Sequence, residues 1–252
     1  MYEKPLYMRI YNIKLGMKLL LTVDVEPDYT TGTVNPYEHL STDFKRFLLF
    51  LREEGVPAVL FICGIVARNF RDLLQKYIDS FEVGVHTHPE YHPEYKEGLK
   101  RLNMYPPEEQ FQMIKRDYDI IYKNLNIKPI AFRAGKLAAD DITISLLKYL
   151  QIKIDSSLLV PYIFSLDAIK HKPWRIKEQN GIIRIPVIAA DNRIIDGSFR
   201  IKANFIKFLD RTAVCCIMFH SWWVNESKLT SALNTLFNKF VFVKLKDVLN
   251  GD

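Results

Sequence analysis

The sequence predicts an α/β fold in which a parallel sheet closes, or nearly closes, into a barrel with helices outside. Apolar runs with strand character alternate with segments of helical periodicity, roughly seven times along the 252 residues. Carboxylates and histidines directly follow several of these runs, where α/β folds keep their chemistry. An open, doubly wound sheet is the alternative, but the first strand-to-helix junction lacks the glycine-rich dinucleotide fingerprint.

The apolar runs are predicted as strands, because buried parallel strands read as continuous hydrophobic segments. In chain order they cover Lys18–Asp24, Pro57–Cys63, Glu82–His86, Pro129–Arg133, Ile152–Asp155, Gly181–Val187, Val214–His220 and Phe240–Lys244.

Helices are predicted between the strands from their start and stop signals. Ser41-Thr42-Asp43 is an N-cap cluster ahead of an apolar stripe, and Gly55 ends that helix. Pro106 to Glu109 places prolines and acids at a second start. Asp140-Asp141 and Asn225-Glu226 precede two further stripes.

We expect one domain over residues 17–252, preceded by an extension over residues 1–16. A chain with 48% hydrophobic residues has ample material for one core. Tyr7 to Tyr11 could instead form an extra edge strand. The irregular stretch from Leu158 to Asn180, with Pro161 and Pro173, is predicted as a long loop on the rim of the barrel.

Composition argues against several classes of protein. The net charge of +6 comes from interspersed charges, so a solvated surface is expected and nucleic-acid binding is not. Three cysteines lie inside apolar runs without CxxC spacing, which argues against a disulfide framework or a zinc knuckle. No run approaches the ~18 apolar residues of a membrane span, and no signal peptide is evident. We therefore expect a cytoplasmic protein.

A metal site is predicted where the first and third strands end. Asp24 and Glu26 follow the first apolar run, and His86 ends the third. If these strands are parallel neighbours or near neighbours, the three side chains converge at one rim of the sheet. Imidazole nitrogen with carboxylate oxygen is a donor set for zinc and several other divalent metals. A histidine-rich surface loop without a metal is the alternative.

The third ligand of this site is open between two residues. Glu90 lies four residues after His86, so one helical turn would bring both onto one side. His88 lies two residues after His86 and would share that side in an extended backbone. Pro89 discourages a helical conformation at His88.

Two further strand ends carry candidate catalytic groups. Arg133 ends the fourth run, where it would keep Asp24 ionised and oriented, or form only a surface salt bridge. His220 ends the seventh run, where it is placed as a general acid or as a buried structural histidine. Trp222 and Trp223 follow it and offer a face for stacking a sugar ring, or rim packing.

These segments resemble the polysaccharide deacetylases with NodB homology, carbohydrate esterase family four. The resemblance runs from Met17 to about Lys246 and follows the order of the family's motifs. It is carried by Thr22–Glu26, Val59–Gly64, Glu82–Thr87, Phe132–Gly135, Asp155–Ser157 and Phe219–Ser221.

The resemblance implies a distorted (β/α) barrel that removes an acetyl group from an N-acetylated sugar with the help of a divalent metal, zinc being the first choice. Asp24 would take the proton of the attacking water, and Glu26 with His86 would bind the metal. Arg133 would position Asp24. The backbone amide of Lys136 would steady the oxyanion.

The last of these segments, Phe219–Ser221, would supply the general acid. By the same resemblance, His220 would protonate the departing amine, and Asp155 would tune it.

The sequence also departs from the family pattern. Glu90 stands where the family usually has a second histidine, and Glu26 replaces the usual metal-binding aspartate. Gly135 and Lys136 stand where many members carry proline and an aromatic residue. Two alternatives therefore stay open: hydrolysis of another C–N bond, such as a cyclic amide, and a non-catalytic carbohydrate-binding barrel that has lost its metal.

Overall fold

The computed structural model describes residues 17–28, 34–95, 100–160, 175–190, 214–224, 236 and 240–249. Three predictions fall on other residues. The extension over residues 1–16, the helix start at Asn225-Glu226 and the part of the rim loop that includes Pro161 and Pro173 all lie outside the described residues.

One curled sheet carries the architecture. Its strands are β1 (Met17–Val25), β2 (Val59–Cys63), β3 (Glu82–Thr87), β4 (Ala131–Ala134), β5 (Ile154–Asp155), β6 (Lys177–Gln179), β7 (Ile182–Arg184), β8 (Val187–Ala190), β9 (Val214–His220) and β10 (Phe240–Phe242). They are ordered β6-β7-β5-β4-β3-β2-β1-β9-β8, and β10 pairs with the start of β1. Every pairing is parallel except that of β6 with β7.

Within the described residues, an isolated bridge joins the two sides of the curled sheet. Leu159, just after β5, pairs with Val187 at the start of β8. The amide of Val160 donates to the Val187 carbonyl at 2.9 Å, and the Val187 amide donates to Leu158 at 2.7 Å. The mostly parallel sheet is thus curled toward closure and the predicted distorted barrel is confirmed, although the sheet has ten strands within the described residues.

The prediction of one strand over Gly181–Val187 is wrong. Pro186 interrupts this run, because proline has no amide hydrogen to donate to a neighbouring strand. The chain forms β7 before it and β8 after it. A two-residue turn, Asn180-Gly181, joins β6 to β7 with positive φ at both positions (53° and 75°), as a type I′ hairpin requires.

Helices flank the sheet. They are α1 (Glu38–Ser41), α2 (Asp43–Glu53), α3 (Gly64–Asn69), α4 (Arg71–Tyr77), α5 (Pro107–Leu125), α6 (Asp141–Leu147) and α7 (Leu245–Leu249). Three predicted boundary signals are confirmed: Gly55 has φ of 66° just after α2, α5 starts at Pro107, and Asp140 forms a capping box with Thr143 at the start of α6. Within the described residues, no helix combines the length and apolarity that crossing a membrane requires.

The alternation of side chains along β1 places the polar residues of the site. Leu19 and Leu21 belong to the larger core, packed between sheet and helices. Leu20 belongs to a second cluster with Phe61 and Cys216. Because side chains two apart share a face, Asp24 extends the face of Leu20 at the carboxyl end of the strand.

Candidate active site

The polar side chains of the site come from the carboxyl ends of parallel strands, and the strand register brings them together. On the sheet, Asp24 of β1 lies beside His220 of β9. His86 of β3 lies beside Arg133 of β4. Because β1, β2, β3 and β4 are consecutive neighbours in the sheet, these side chains gather at one rim.

Three buried side chains form a candidate metal centre at this rim. Ligand atoms of Glu26, His86 and His88 all lie within 4.8 Å of one another. Glu26 Oε2 lies 2.8 Å from His88 Nε2 and 3.5 Å from His86 Nε2. The two Nε2 atoms are 3.1 Å apart. A carboxylate oxygen and two imidazole nitrogens around one point fit zinc.

The outer ring nitrogens of both histidines are oriented by acceptors. His86 Nδ1 lies 2.9 Å from the Arg133 carbonyl, and His88 Nδ1 lies 3.1 Å from Glu90 Oε1. A carbonyl or carboxylate oxygen only accepts, so each Nδ1 carries a proton and donates it. A neutral imidazole then turns its Nε2 lone pair toward the centre. Lone pairs facing each other and a carboxylate are stable only with a positive charge between them, either a proton or a metal.

The charges at this centre are strongly coupled. Burial raises the pKa of Glu26, but hydrogen bonds with His86 and His88 outweigh it and hold that pKa well below its usual value. Burial lowers the pKa of His88, but the hydrogen bonds with Glu26 and Glu90 raise it to about 9. The centre therefore attracts positive charge.

Glu90 contacts the outer nitrogen of His88 and is not part of the cluster formed by Glu26, His86 and His88. Its Oε1 contacts His88 Nδ1 and also Lys136 Nζ, the latter at 2.8 Å. Burial raises the pKa of Glu90, but His88 and Lys136 lower it to about 2, so the carboxylate is ionised. Of the two residues that the sequence left open, the structure brings His88 to the centre and makes Glu90 the partner of its outer nitrogen.

Asp24 is held by a buried arginine. Arg133 is fully buried and its Nη1 donates to Asp24 Oδ1 at 2.6 Å. Its Nε and Nη2 donate to the carbonyl and hydroxyl oxygens of Ser156 at 2.9 and 2.8 Å. The guanidinium also lies over the Phe61 ring, 4.2 Å from its centroid. Asp24 Oδ2 is left facing His86 Nε2, at 3.8 Å.

Asp155 lies below the rim, fully buried. Ser157 Oγ donates to its Oδ1 at 2.5 Å, and Arg184 Nε donates to its Oδ2 at 3.0 Å. Burial raises its pKa, which Ser157 and Arg184 partly offset. The Ser157 hydroxyl also accepts a hydrogen bond from the Ala134 amide at 2.9 Å, so Asp155 fixes the end of β4 through Ser157.

His220 and Trp222 lie at the site, whereas Trp223 packs against the core. His220 Nε2 lies 3.7 Å from Glu26 Oε1, and its ring stacks on Trp222 with centroids 4.7 Å apart. Trp222 Nε1 donates to Glu26 Oε1 at 3.3 Å. Trp223 instead stacks on Phe219 at 5.5 Å and packs against the larger core. The structure therefore places Trp222 at the site and Trp223 against the core.

Lys136 sits at the lip of the site in a left-handed backbone conformation. Its φ is 57°, and Leu137 next to it has φ of 53°. Two consecutive left-handed residues other than glycine are costly, and such strain clusters at functional sites. The Lys136 side chain is 41% exposed and reaches back to Glu90.

Three residues that hold Glu26 were not predicted from the sequence. Ser221 Oγ donates to the Glu26 carbonyl at 3.1 Å and lies 3.2 Å from its amide. His39 Nε2 lies 3.1 Å from both that carbonyl and Ser221 Oγ. Tyr91 stacks on His88 and its hydroxyl lies 3.5 Å from Glu26 Oε2. Ser221 is the last residue of the recognised segment Phe219–Ser221, although no role was assigned to it, and Tyr91 lies four residues after the segment that ends at Thr87. Nothing in the sequence around His39 distinguishes it.

The fold is similar to that of known polysaccharide deacetylases. A family model described as polysaccharide deacetylase matches residues 16–154. No curated protein sequence is significantly similar to the chain.

Among solved structures, a Mycobacterium smegmatis protein assigned as a polysaccharide deacetylase aligns with a TM-score of 0.66 at 16% identity, covering 93% of this chain and 89% of the other. A peptidoglycan deacetylase from Bacillus subtilis aligns at 0.52 and 13%, covering 93% and 91%. A carbohydrate esterase family 4 pseudoenzyme from Bacillus anthracis aligns at 0.56 and 13%, covering 92% and 65%. At these identities the likeness shows the fold.

Proposed function

Because the chain belongs to the polysaccharide deacetylase family, we propose that it is a metal-dependent hydrolase that removes the acetyl group from an N-acetylated sugar. One observation carries the proposal: the Glu26, His86 and His88 cluster lies directly beside the buried Asp24–Arg133 pair. Ligands for a cation and an oriented carboxylate are the two parts that metal-assisted hydrolysis needs.

Glu26, His86 and His88 would hold the cation, with zinc as the first candidate. Their fit rests on the donor set and on the hydrogen bonds that turn both Nε2 atoms inward. When bound, a divalent cation supplies Lewis acidity, which makes a water more acidic and polarises an acyl oxygen.

Asp24 is the proposed general base. Its Oδ1 is committed to Arg133, which leaves Oδ2 to accept a proton from the attacking water. Arg133 balances the buried charge of the carboxylate and fixes its plane, supported by Ser156. This division of the two oxygens explains why an arginine without solvent exposure belongs to the site.

His220 is the proposed general acid for the departing amine. It lies on β9, which pairs with β1 on the side away from β2 and the histidine strand β3. An acyl group bound between His220 and His86 would therefore face the base and the acid from different sides. The Lys136 amide would donate to the developing oxyanion. The half-buried Trp222–His220 stack would support the sugar ring.

The test is acetate release from chitooligosaccharides by the purified chain loaded with zinc or cobalt. We expect release that stops on chelation and returns with metal. Asp24→Asn should abolish it, whereas Asp119→Asn, which changes an exposed carboxylate paired with Lys115, should retain it. Absence of release from several N-acetylated sugars by a protein with bound metal would reject this substrate class.

A second candidate is a carbohydrate-binding barrel without catalysis. It is favoured by the departures from the family's usual ligands at Glu26 and Glu90, and a pseudoenzyme with this fold is among the similar structures. Elemental analysis separates the two candidates, because a chain that takes up no zinc from excess would support the second.

A further inference from the structure

Gly135, where β4 ends, has no room for a side chain. A Cβ atom built on it would lie 2.4 Å from Cδ2 of His88 and 2.5 Å from its Cγ and Nε2. Carbon atoms that are not bonded to each other stay well beyond 3 Å apart, so one group would have to move. The space that a Cβ would fill is taken by the imidazole of His88.

The backbone does not explain the glycine. Among the described glycines, those with positive φ are Gly55 and Gly181, and Gly135 is not one of them. An L-residue could therefore adopt the Gly135 conformation without strain. What the position requires is the absence of Cβ.

Described residues hold the imidazole of His88 from several sides. Its Nδ1 is hydrogen-bonded with Glu90 and its Nε2 contacts Glu26. One face stacks on Tyr91 at 4.9 Å, and the ring meets His86 edge-on at 4.7 Å. In addition to these contacts, Gly135 lies against the ring. Any displacement of the imidazole therefore breaks at least one contact.

The residue after Gly135 acts on the same imidazole through the carboxylate of Glu90. Lys136 Nζ lies 2.8 Å from Glu90 Oε1, the oxygen that orients His88 Nδ1. Gly135 thus gives the ring its space, and Lys136 holds the carboxylate that sets its orientation. One turn after β4 controls both the place and the direction of His88.

We propose that Gly135 is a positioning residue that admits His88, rather than Glu90, as the third ligand of the metal centre. This inference rests on the proposed metal site. A side chain at residue 135 would displace the imidazole and remove one of the two nitrogen donors. Because imidazole suits zinc, that loss weakens zinc binding directly.

The test is a double-mutant cycle on zinc affinity, measured by competition with a chelating indicator dye on the metal-free protein. Gly135→Ala should weaken zinc binding at least about 10-fold, the range found when residues that support metal ligands are changed. His88→Ala should weaken it by a similar factor or more. Gly135→Ala added to His88→Ala should have no further effect, because the ring it displaces is gone.

Thermal unfolding of the same four proteins without metal gives a second readout. If Gly135→Ala lowers the melting temperature by crowding, adding His88→Ala should restore part of it. This rescue keeps the test decisive even when the single variant folds poorly.

Two results would overturn the inference: zinc affinity of Gly135→Ala within twofold of the unmodified chain, or an equal effect of Gly135→Ala with and without His88. A chain that binds no zinc in any form would instead overturn the proposed metal site, and the assignment of Gly135 with it.

Discussion

Replacing Arg133 by methionine removes the positive charge from the buried Asp24–Arg133 pair and leaves a shorter, unbranched apolar side chain in its place. Asp24 is 3% exposed and Arg133 is 0% exposed, so water cannot replace the lost partner. The substitution also removes the donors to the carbonyl and hydroxyl of Ser156.

The expected cost follows from this burial. Removing one partner of a buried ion pair costs about 3–5 kcal/mol, because the other charge is left uncompensated. For a chain of this size about 1 kcal/mol corresponds to roughly 2–4 °C in melting temperature. We therefore expect Arg133→Met to unfold roughly 6–20 °C below the unmodified chain.

Thermal and urea unfolding, followed by circular dichroism with a chelator present, measure this change. Arg116→Met is the matched control, since Arg116 pairs with Glu94 at the surface with side chains 40% and 55% exposed. Exposed pairs contribute up to about 1 kcal/mol. The double variant Asp24→Asn with Arg133→Met should lose less than the sum of the single variants, because it leaves no lone buried charge.

An Arg133→Met variant no less stable than Arg116→Met would contradict this prediction, because the buried pair would then contribute no more than an exposed one. Strict additivity in the double variant would contradict it as well, since it would mean that the two charges do not stabilise each other.

His220→Ala should slow deacetylation about 10²- to 10⁴-fold while sparing zinc affinity; a large loss of affinity would make His220 a ligand. Gly84→Ala should lower the free energy of unfolding by about 1–3 kcal/mol, because its Cβ would lie 2.5 Å from the Phe61 ring, and an unchanged urea midpoint would contradict this. Asp140→Ala should cost about 1 kcal/mol by removing the capping box of α6, measured by urea unfolding; no change would mean that the cap contributes nothing.

The central parallel strands β2, β3, β4 and β9 were predictable because nearly all of their residues are buried, so each reads as an apolar run. The hairpin β6–β7 was not predicted, because its first strand is short and polar and lies at the sheet edge. A signal was present in Asn180-Gly181, the dipeptide that favours this turn. Pro186 likewise marked the break between β7 and β8.

At the site, the sequence identified the residues at the ends of strands, because an abrupt change from apolar to polar is visible in one dimension. It could not choose between His88 and Glu90, since that choice depends on space beside Gly135, a residue 47 positions beyond His88. The contacts of Ser221 with Glu26 and with His39 also join distant parts of the chain. Such contacts produce no periodic pattern in the sequence.

The position of β1 between β2 and β9 has a consequence for synthesis on the ribosome. β1 pairs with β9 over seven consecutive residues, from Lys18–Val214 to Asp24–His220. In a nascent chain, the backbone edge of β1 that pairs with β9 therefore has no partner from β9 until almost two hundred further residues have been translated. During that interval this edge of the strand is open to pairing with other chains.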